Sequence, residues 1–147
     1  MNNKKSNADR WMWGITIFLV LIGTAIVYRR LAFISTVNTP GGYIEGVTKS
    51  KSPVPDAGFA AHPLLTVIHI VPGLLFMLLA PLQFVKRLRS TYPRLHRLVG
   101  YIVFISGLII GSTAIIMGLT MAIGGLTETL AVTIFGMAFL SALIKAY

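Results

Sequence analysis

The sequence predicts an all-α integral membrane protein with four transmembrane helices and a cytoplasmic N-terminus. The first observation is composition: of 147 residues, 55% are hydrophobic and only 12% are charged, and the mean hydropathy is +0.79. Such values are wrong for a soluble domain. The second is that apolar runs of about eighteen residues or more recur, and each can cross a hydrocarbon core of about 30 Å. The third is that the net charge of +9 lies at the ends of these runs. It therefore indicates topology and lipid contact, and no nucleic-acid binding is expected.

The first half of the chain is predicted to hold one transmembrane helix and a long outer loop. Residues 1–10 form a polar cytoplasmic tail, and residues 11–28 form the first transmembrane helix. This run is longer than the apolar part of a signal peptide and has no small-residue cleavage site after it, so we expect it to be retained. Residues 29–62 form an outer loop rich in Pro, Gly, Ser and Thr, with an interfacial helix expected over residues 31–37. The loop would serve either as a lid or partner surface, or as a passive tether.

The second half is predicted to hold three further transmembrane helices. In chain order it consists of the second transmembrane helix at 63–84, a basic cytoplasmic loop at 85–97, the third helix at 98–118, an outer turn at 119–128 and the fourth helix at 129–147. The second helix opens with a proline, which suits a first helical turn because no N–H is needed there.

Orientation follows from the distribution of Lys and Arg. With the N-terminus inside, nine cationic residues lie on the cytoplasmic side and four, at positions 29, 30, 49 and 51, lie outside. The positive-inside rule therefore favours this orientation. The basic loop is also expected to bind anionic lipid through its five cations, Lys86, Arg87, Arg89, Arg94 and Arg97.

His69 is the first candidate for chemistry. It lies six residues into the second helix, and an ionisable residue at such depth marks a functional site by default. Pro72 has no N–H, so the carbonyl of Ile68 loses its usual partner one residue from His69. The alternative is a neutral, structural histidine that donates to this carbonyl or to a neighbouring helix.

His96 is the second candidate, and it lies at the inner interface beside Arg94 and Arg97. The alternative is a solvated histidine in a basic loop, while His62 is interpreted as a helix-entry residue. About 22 Å of helix separates His69 from the inner end of its helix, whereas two nitrogens on one metal lie about 4 Å apart. The two histidines therefore cannot share a metal. The depths of His69 and His96 in the membrane suit two haems, one near each membrane face, with Arg94 or Arg97 near the haem propionates.

Four glycines of the third helix share one face. Gly100, Gly107, Gly111 and Gly118 are separated by 7, 4 and 7 residues, and His96 lies four residues before the first. Close backbone approach by a neighbouring helix, which could belong to a partner, is the simplest purpose of this groove. A flat cofactor lying against it is the alternative.

Other chemistry is largely excluded by residue content. The chain has no cysteine, so disulfides, iron–sulfur clusters and thiolate nucleophiles are ruled out. The four acidic residues, at positions 9, 45, 56 and 128, are all predicted outside the apolar core, which disfavours a carboxylate proton relay. A transporter is a third, lower-ranked hypothesis beside the two stated at the end of this section. The prolines of the second helix favour it, and the lack of buried carboxylates disfavours it.

Two motifs resemble a known family. The pattern H-x3-G-x7-P-L-Q-F from His69 to Phe84, followed by R-x5-R-L-H-R-L-V-G-Y around His96, resembles the bacterial membrane proteins catalogued as domain of unknown function 2306, over residues 60–147. Members typically continue with another His-Arg element, so the resemblance implies a C-terminally shortened member. The family layout is similar to b-type cytochromes and ferric reductase-like proteins, which implies His69 and His96 as haem ligands.

Two functional hypotheses follow. The first is a haem b module for electron transfer, with His69 and His96 as metal ligands and Arg94 and Arg97 contributing to cofactor binding. The second is a non-catalytic structural or assembly subunit, in which the glycine face packs a partner helix and the basic loop binds anionic lipid.

Overall fold

The computed structural model of the chain describes residues 7–37, 59, 61–121 and 125–146. All regular elements in this described part are helices: α1 (Asn7–Val37), α2 (Pro63–Leu79), a 3₁₀ segment (Ala80–Phe84), α3 (Lys86–Thr91), α4 (Pro93–Thr120) and α5 (Gly125–Ala146). Four stretches are long and apolar enough to span a membrane: Arg10–Ala32, Pro63–Phe84, Pro93–Thr120 and Gly125–Ala146. The predicted all-α fold with four candidate spanning helices is confirmed. The start of the polar tail, most of the outer loop with its proposed lid or tether role, and the tip of the last turn lie outside the described residues.

α1 is longer than the 11–28 expected from hydropathy. It runs without interruption through Arg29 and Arg30 and includes residues 31–37, for which a separate interfacial helix was expected. Arginine is a good helix former, and its stem can lie along apolar surface while the charged head reaches water. A charged pair therefore ends the apolar run without ending the helix. At 31 residues α1 is about 46 Å long, enough to extend beyond the hydrocarbon core.

The second spanning segment changes its winding near its C-terminal end. α2 begins with Pro63 in its first turn and accommodates Pro72 in its interior. The last turn, Ala80–Phe84, is a 3₁₀ helix with Pro81 near its start. Because Pro81 has no N–H, the carbonyl four residues back cannot be paired in the α pattern, and the chain tightens at this point.

The basic segment is helical and not an extended loop. Lys86, Arg87 and Arg89 lie on the short α3, whereas Arg94 and Arg97 belong to the first turns of α4, which begins at Pro93 and not near residue 98. Proline is well suited to a first helical position, and this explains the earlier start. All five cationic residues are exposed.

α2, α4 and α5 form the packed core. α4 contacts α2 and α5, while α1 contacts α2. Buried positions of α4 are mostly small, namely Val99, Ser106, Gly107, Gly111, Thr113 and Gly118. Small residues let helix backbones approach closely, which is how helices associate in lipid, where burial of apolar surface gives little gain. Large apolar side chains such as Phe18 and Phe135 instead remain exposed on the outside, as suits a lipid-facing surface.

At the end of the bundle opposite the basic segment, contacts around Phe59 join α1 to the start of α2. The fully buried Thr66 donates its hydroxyl to carbonyls within reach, that of His62 at 2.9 Å and that of Phe59 at 3.1 Å. The guanidinium of Arg30 lies 4.0 Å from the centre of the Phe59 ring. The end of α1 and the start of α2 therefore lie together, and these helices are antiparallel.

Candidate functional site

His69 is bonded across the bundle to α4. Its Nδ1 lies 2.8 Å from the hydroxyl oxygen of Thr113, and the two residues are half-buried and buried respectively. Two partners were considered for a structural histidine here, the carbonyl of Ile68 freed by Pro72 and a group on a neighbouring helix, and the observed partner is of the second kind.

The surroundings fix which ring nitrogen carries the proton. The Thr113 hydroxyl lies 2.7 Å from the carbonyl of Ile109 and 3.2 Å from that of Ile110, so its proton is donated within α4. Its oxygen is then left to accept, and on this assignment Nδ1 of His69 is the donor. A neutral imidazole with its proton on Nδ1 has a lone pair on Nε2. That is the state in which a histidine can serve as a metal ligand.

His96 lies at the start of α4, and its Nδ1 is buried with no hydrogen-bond partner among the described residues. Its carbonyl accepts a long bond of 3.5 Å from the side-chain amide of Gln83, on the 3₁₀ segment. An unpaired buried polar atom costs about 1–3 kcal/mol. Because this nitrogen is buried, the ring of His96 is not simply solvated, as the alternative interpretation of it assumed.

The two histidines lie at opposite ends of the core. Thr113, the partner of His69, follows His96 on α4 by 17 residues, which corresponds to about 25 Å along the helix axis. Within the described part of the chain, no three His, Asp or Glu residues are grouped closely enough to hold a metal ion. Each level therefore offers one histidine.

Arg94 and Arg97 line a shallow hollow of about 300 Å³ together with Leu98 and Tyr101. A separation of two residues on a helix corresponds to about 200°, so Arg94 and His96 point to nearly opposite sides of α4. The hollow is consequently on the side of α4 that faces away from the bundle, whereas His96 is turned toward the 3₁₀ segment. The structure does not gather these basic and histidine side chains into one site.

The glycine face of α4 is covered by the chain itself. A Cβ built on Gly107 would lie 2.7 Å from Leu143, on Gly111 2.5 Å from Leu140, and on Gly118 2.9 Å from Val132, all residues of α5. Gly136 of α5 faces back, and its added Cβ would lie 3.7 Å from the carbonyl oxygen of Gly111. Gly100 instead faces Gln83, 3.5 Å away. At Gly107, Gly111 and Gly118 the glycine face is therefore occupied by α5.

Thr113 is the site residue that sequence reasoning missed. A signal for it exists, because Val99, Ser106 and Thr113 recur every seven residues and so share one face of α4. Polar residues inside a membrane helix face protein, which would have marked Thr113 as a candidate partner for a polar residue on a neighbouring helix.

The fold and the bonded histidine define a multi-pass helical membrane protein with a polar contact inside its core. A family model described as a predicted membrane protein, DUF2306, matches residues 66–147, and the chain belongs to this family. The matched region covers α2, α4 and α5 almost completely. No curated protein and no solved structure matches the chain.

Proposed function

We propose that the chain is a non-catalytic helical module of the bacterial cytoplasmic membrane, with a self-packed core and a cationic end that binds anionic lipid. The observation that carries the proposal is the contrast between these two parts. The glycine face is used for internal packing, while five cationic side chains of α3 and α4 remain exposed at one end of the bundle. Each such charge near an anionic surface contributes about 1 kcal/mol of attraction.

The antiparallel arrangement of the helices gathers most of the described cations at one end of the bundle, and this supports a cytoplasmic N-terminus. The inner ends of the helices carry seven of the described cations, Arg10, Lys86, Arg87, Arg89, Arg94, Arg97 and Lys145, while Arg29 and Arg30 lie toward the other end. Positive residues are retained on the cytoplasmic side. Orientation can be tested cleanly because the chain has no native cysteine. In intact cells, an impermeant maleimide should label Thr127→Cys and not Ser90→Cys, and the reverse result would refute the orientation.

Anionic lipid should stabilise the protein through this end. A ligand that binds only the folded state stabilises it by about 2.7 kcal/mol at one hundred times its Kd. We expect phosphatidylglycerol to raise the thermal midpoint of the detergent-purified chain relative to the same amount of phosphatidylcholine, and added salt to reduce the effect. Equal midpoints in both lipids would refute the lipid-binding function.

A second candidate, haem b binding for electron transfer, is supported by one observation. His69 has its Nδ1 proton held by Thr113, so Nε2 is the nitrogen with a free lone pair. Metal-ligating histidines commonly donate their other N–H in this way. The fit is incomplete, since each level has a single histidine and the glycine groove is filled. A bis-histidine site would need its second ligand from another copy or another chain.

The haem candidate is tested by the absorption spectrum of protein purified from haem-sufficient cells, oxidised and then reduced with dithionite. A Soret band and a reduced alpha band that are lost in His69→Ala and retained in His62→Ala would support it. His62 is a suitable control because it is an exposed histidine seven residues away on the same segment. A wild-type spectrum with no such bands would reject haem binding.

A further inference from the structure

We propose that Arg94, Arg97, Leu98 and Tyr101 form a binding site for one anionic phospholipid headgroup. This inference rests on the lipid-binding function proposed above and assigns it to a defined place. The four residues line one hollow of about 300 Å³, although all four are exposed. Their spacing of three, four and seven residues from Arg94 places them on one face of α4.

Charge favours an anion at this position. Arg94 and Arg97 lie in the first turns of a 28-residue helix that has no acidic residue in its first turn. Positive side chains oppose the helix dipole there, whereas a negative group is favoured. Guanidinium groups bind phosphate oxygens in bidentate fashion, and two of them flanking one hollow suit a single phosphate.

Position identifies the anion as a lipid and not a soluble phosphate. The hollow lies at the end of the candidate spanning segment Pro93–Thr120, where headgroups are expected. Leu98 and Ile105 are exposed and one heptad apart, so they form an apolar track leading from the arginines toward the membrane interior. Tyr101 lies between them, and aromatic residues of this kind are common at the headgroup level. A phosphate with an attached acyl chain complements both parts.

The test compares two double variants with the same change in charge. Arg94→Gln with Arg97→Gln alters the hollow, and Lys86→Gln with Arg87→Gln alters α3 alone. The purified proteins are titrated with phosphatidylglycerol or phosphatidylcholine, and the binding of the first lipid is followed by native mass spectrometry. Far-UV circular dichroism verifies that the variants keep their helices.

If the site is specific, the wild-type protein should prefer phosphatidylglycerol. The Arg94/Arg97 variant should lose about thirtyfold in affinity for this lipid, and this loss should be at least ten times the loss in the α3 variant. Replacing both arginines by lysine should restore only part of the affinity, because the bidentate geometry is lost. Equal losses in the two glutamine variants would overturn the site and leave diffuse lipid attraction intact. No preference for phosphatidylglycerol in wild type would overturn the lipid-binding function as well. Displacement by an equal concentration of glycerol phosphate would assign the hollow to a soluble anion and overturn the lipid site.

Discussion

Replacing Gly111 by alanine should separate α4 from α5. The new Cβ would lie 2.5 Å from Cδ2 and 2.8 Å from Cγ of Leu140, and 3.1 Å from Cδ1 of Phe139. Contacts below 3.0 Å require a shift, and Cγ cannot move far without moving the backbone of α5. Overpacking of this kind costs about 1–3 kcal/mol, while alanine recovers about 1 kcal/mol of helix propensity.

Gly100→Ala is the matched control. It lies on the same helix and the same face, but its Cβ would meet Gln83 at 3.5 Å, an ordinary contact. The propensity gain is the same in both variants and cancels in the comparison. Gly111→Ala should therefore be less stable than Gly100→Ala by about 1–3 kcal/mol.

Reversible unfolding in mixed micelles, with sodium dodecyl sulfate as the denaturant and far-UV circular dichroism as the signal, measures this difference. If Gly111→Ala unfolds at the same denaturant fraction as Gly100→Ala, or at a higher one, the close approach of α4 and α5 is refuted.

Three further predictions use the same assay. Thr113→Val should lower the free energy of unfolding, and a double-mutant cycle with His69→Ala should give a coupling of about 0.6 kcal/mol and at most about 1.7; additive effects would show that the two side chains are not bonded. Gly118→Ala should destabilise more than Gly23→Ala, because the first added methyl meets a stiff β-branched valine and the second meets a flexible methionine that can turn away; equal effects would contradict this. Thr66→Val should cost about 1 kcal/mol by leaving the carbonyl at residue 59 without its donor, and an unchanged denaturation midpoint would show that the contact contributes nothing.

Local rules predicted the fold class well and the helix bounds less well. Length and apolarity identify a spanning segment, and all four candidate spanning helices were predicted from these two properties alone. The helices extend beyond the predicted bounds where charge was taken as a stop signal, at Arg29 and at the basic segment before residue 98. Arginine favours the helix, and the true start of α4 was marked by Pro93.

Periodicity predicted which residues share a face but not what covers that face. The glycine spacing of α4 correctly indicated close helix packing, yet the helix that packs there is α5 of the same chain at Gly107, Gly111 and Gly118. The spacing of residues within one helix contains no information about the neighbour. The same limit applies to His69, whose partner Thr113 is 44 residues away in sequence.

The close packing of α4 on α5 also bears on how the protein is made. Helices leave the ribosome in order, so α4 enters the membrane before α5 has been completed. During that interval its glycine face is not yet covered by α5. Only four residues separate Thr120 from Gly125, so the covering helix follows at once. The short connection therefore limits how long the glycine face of α4 lacks its covering helix during synthesis.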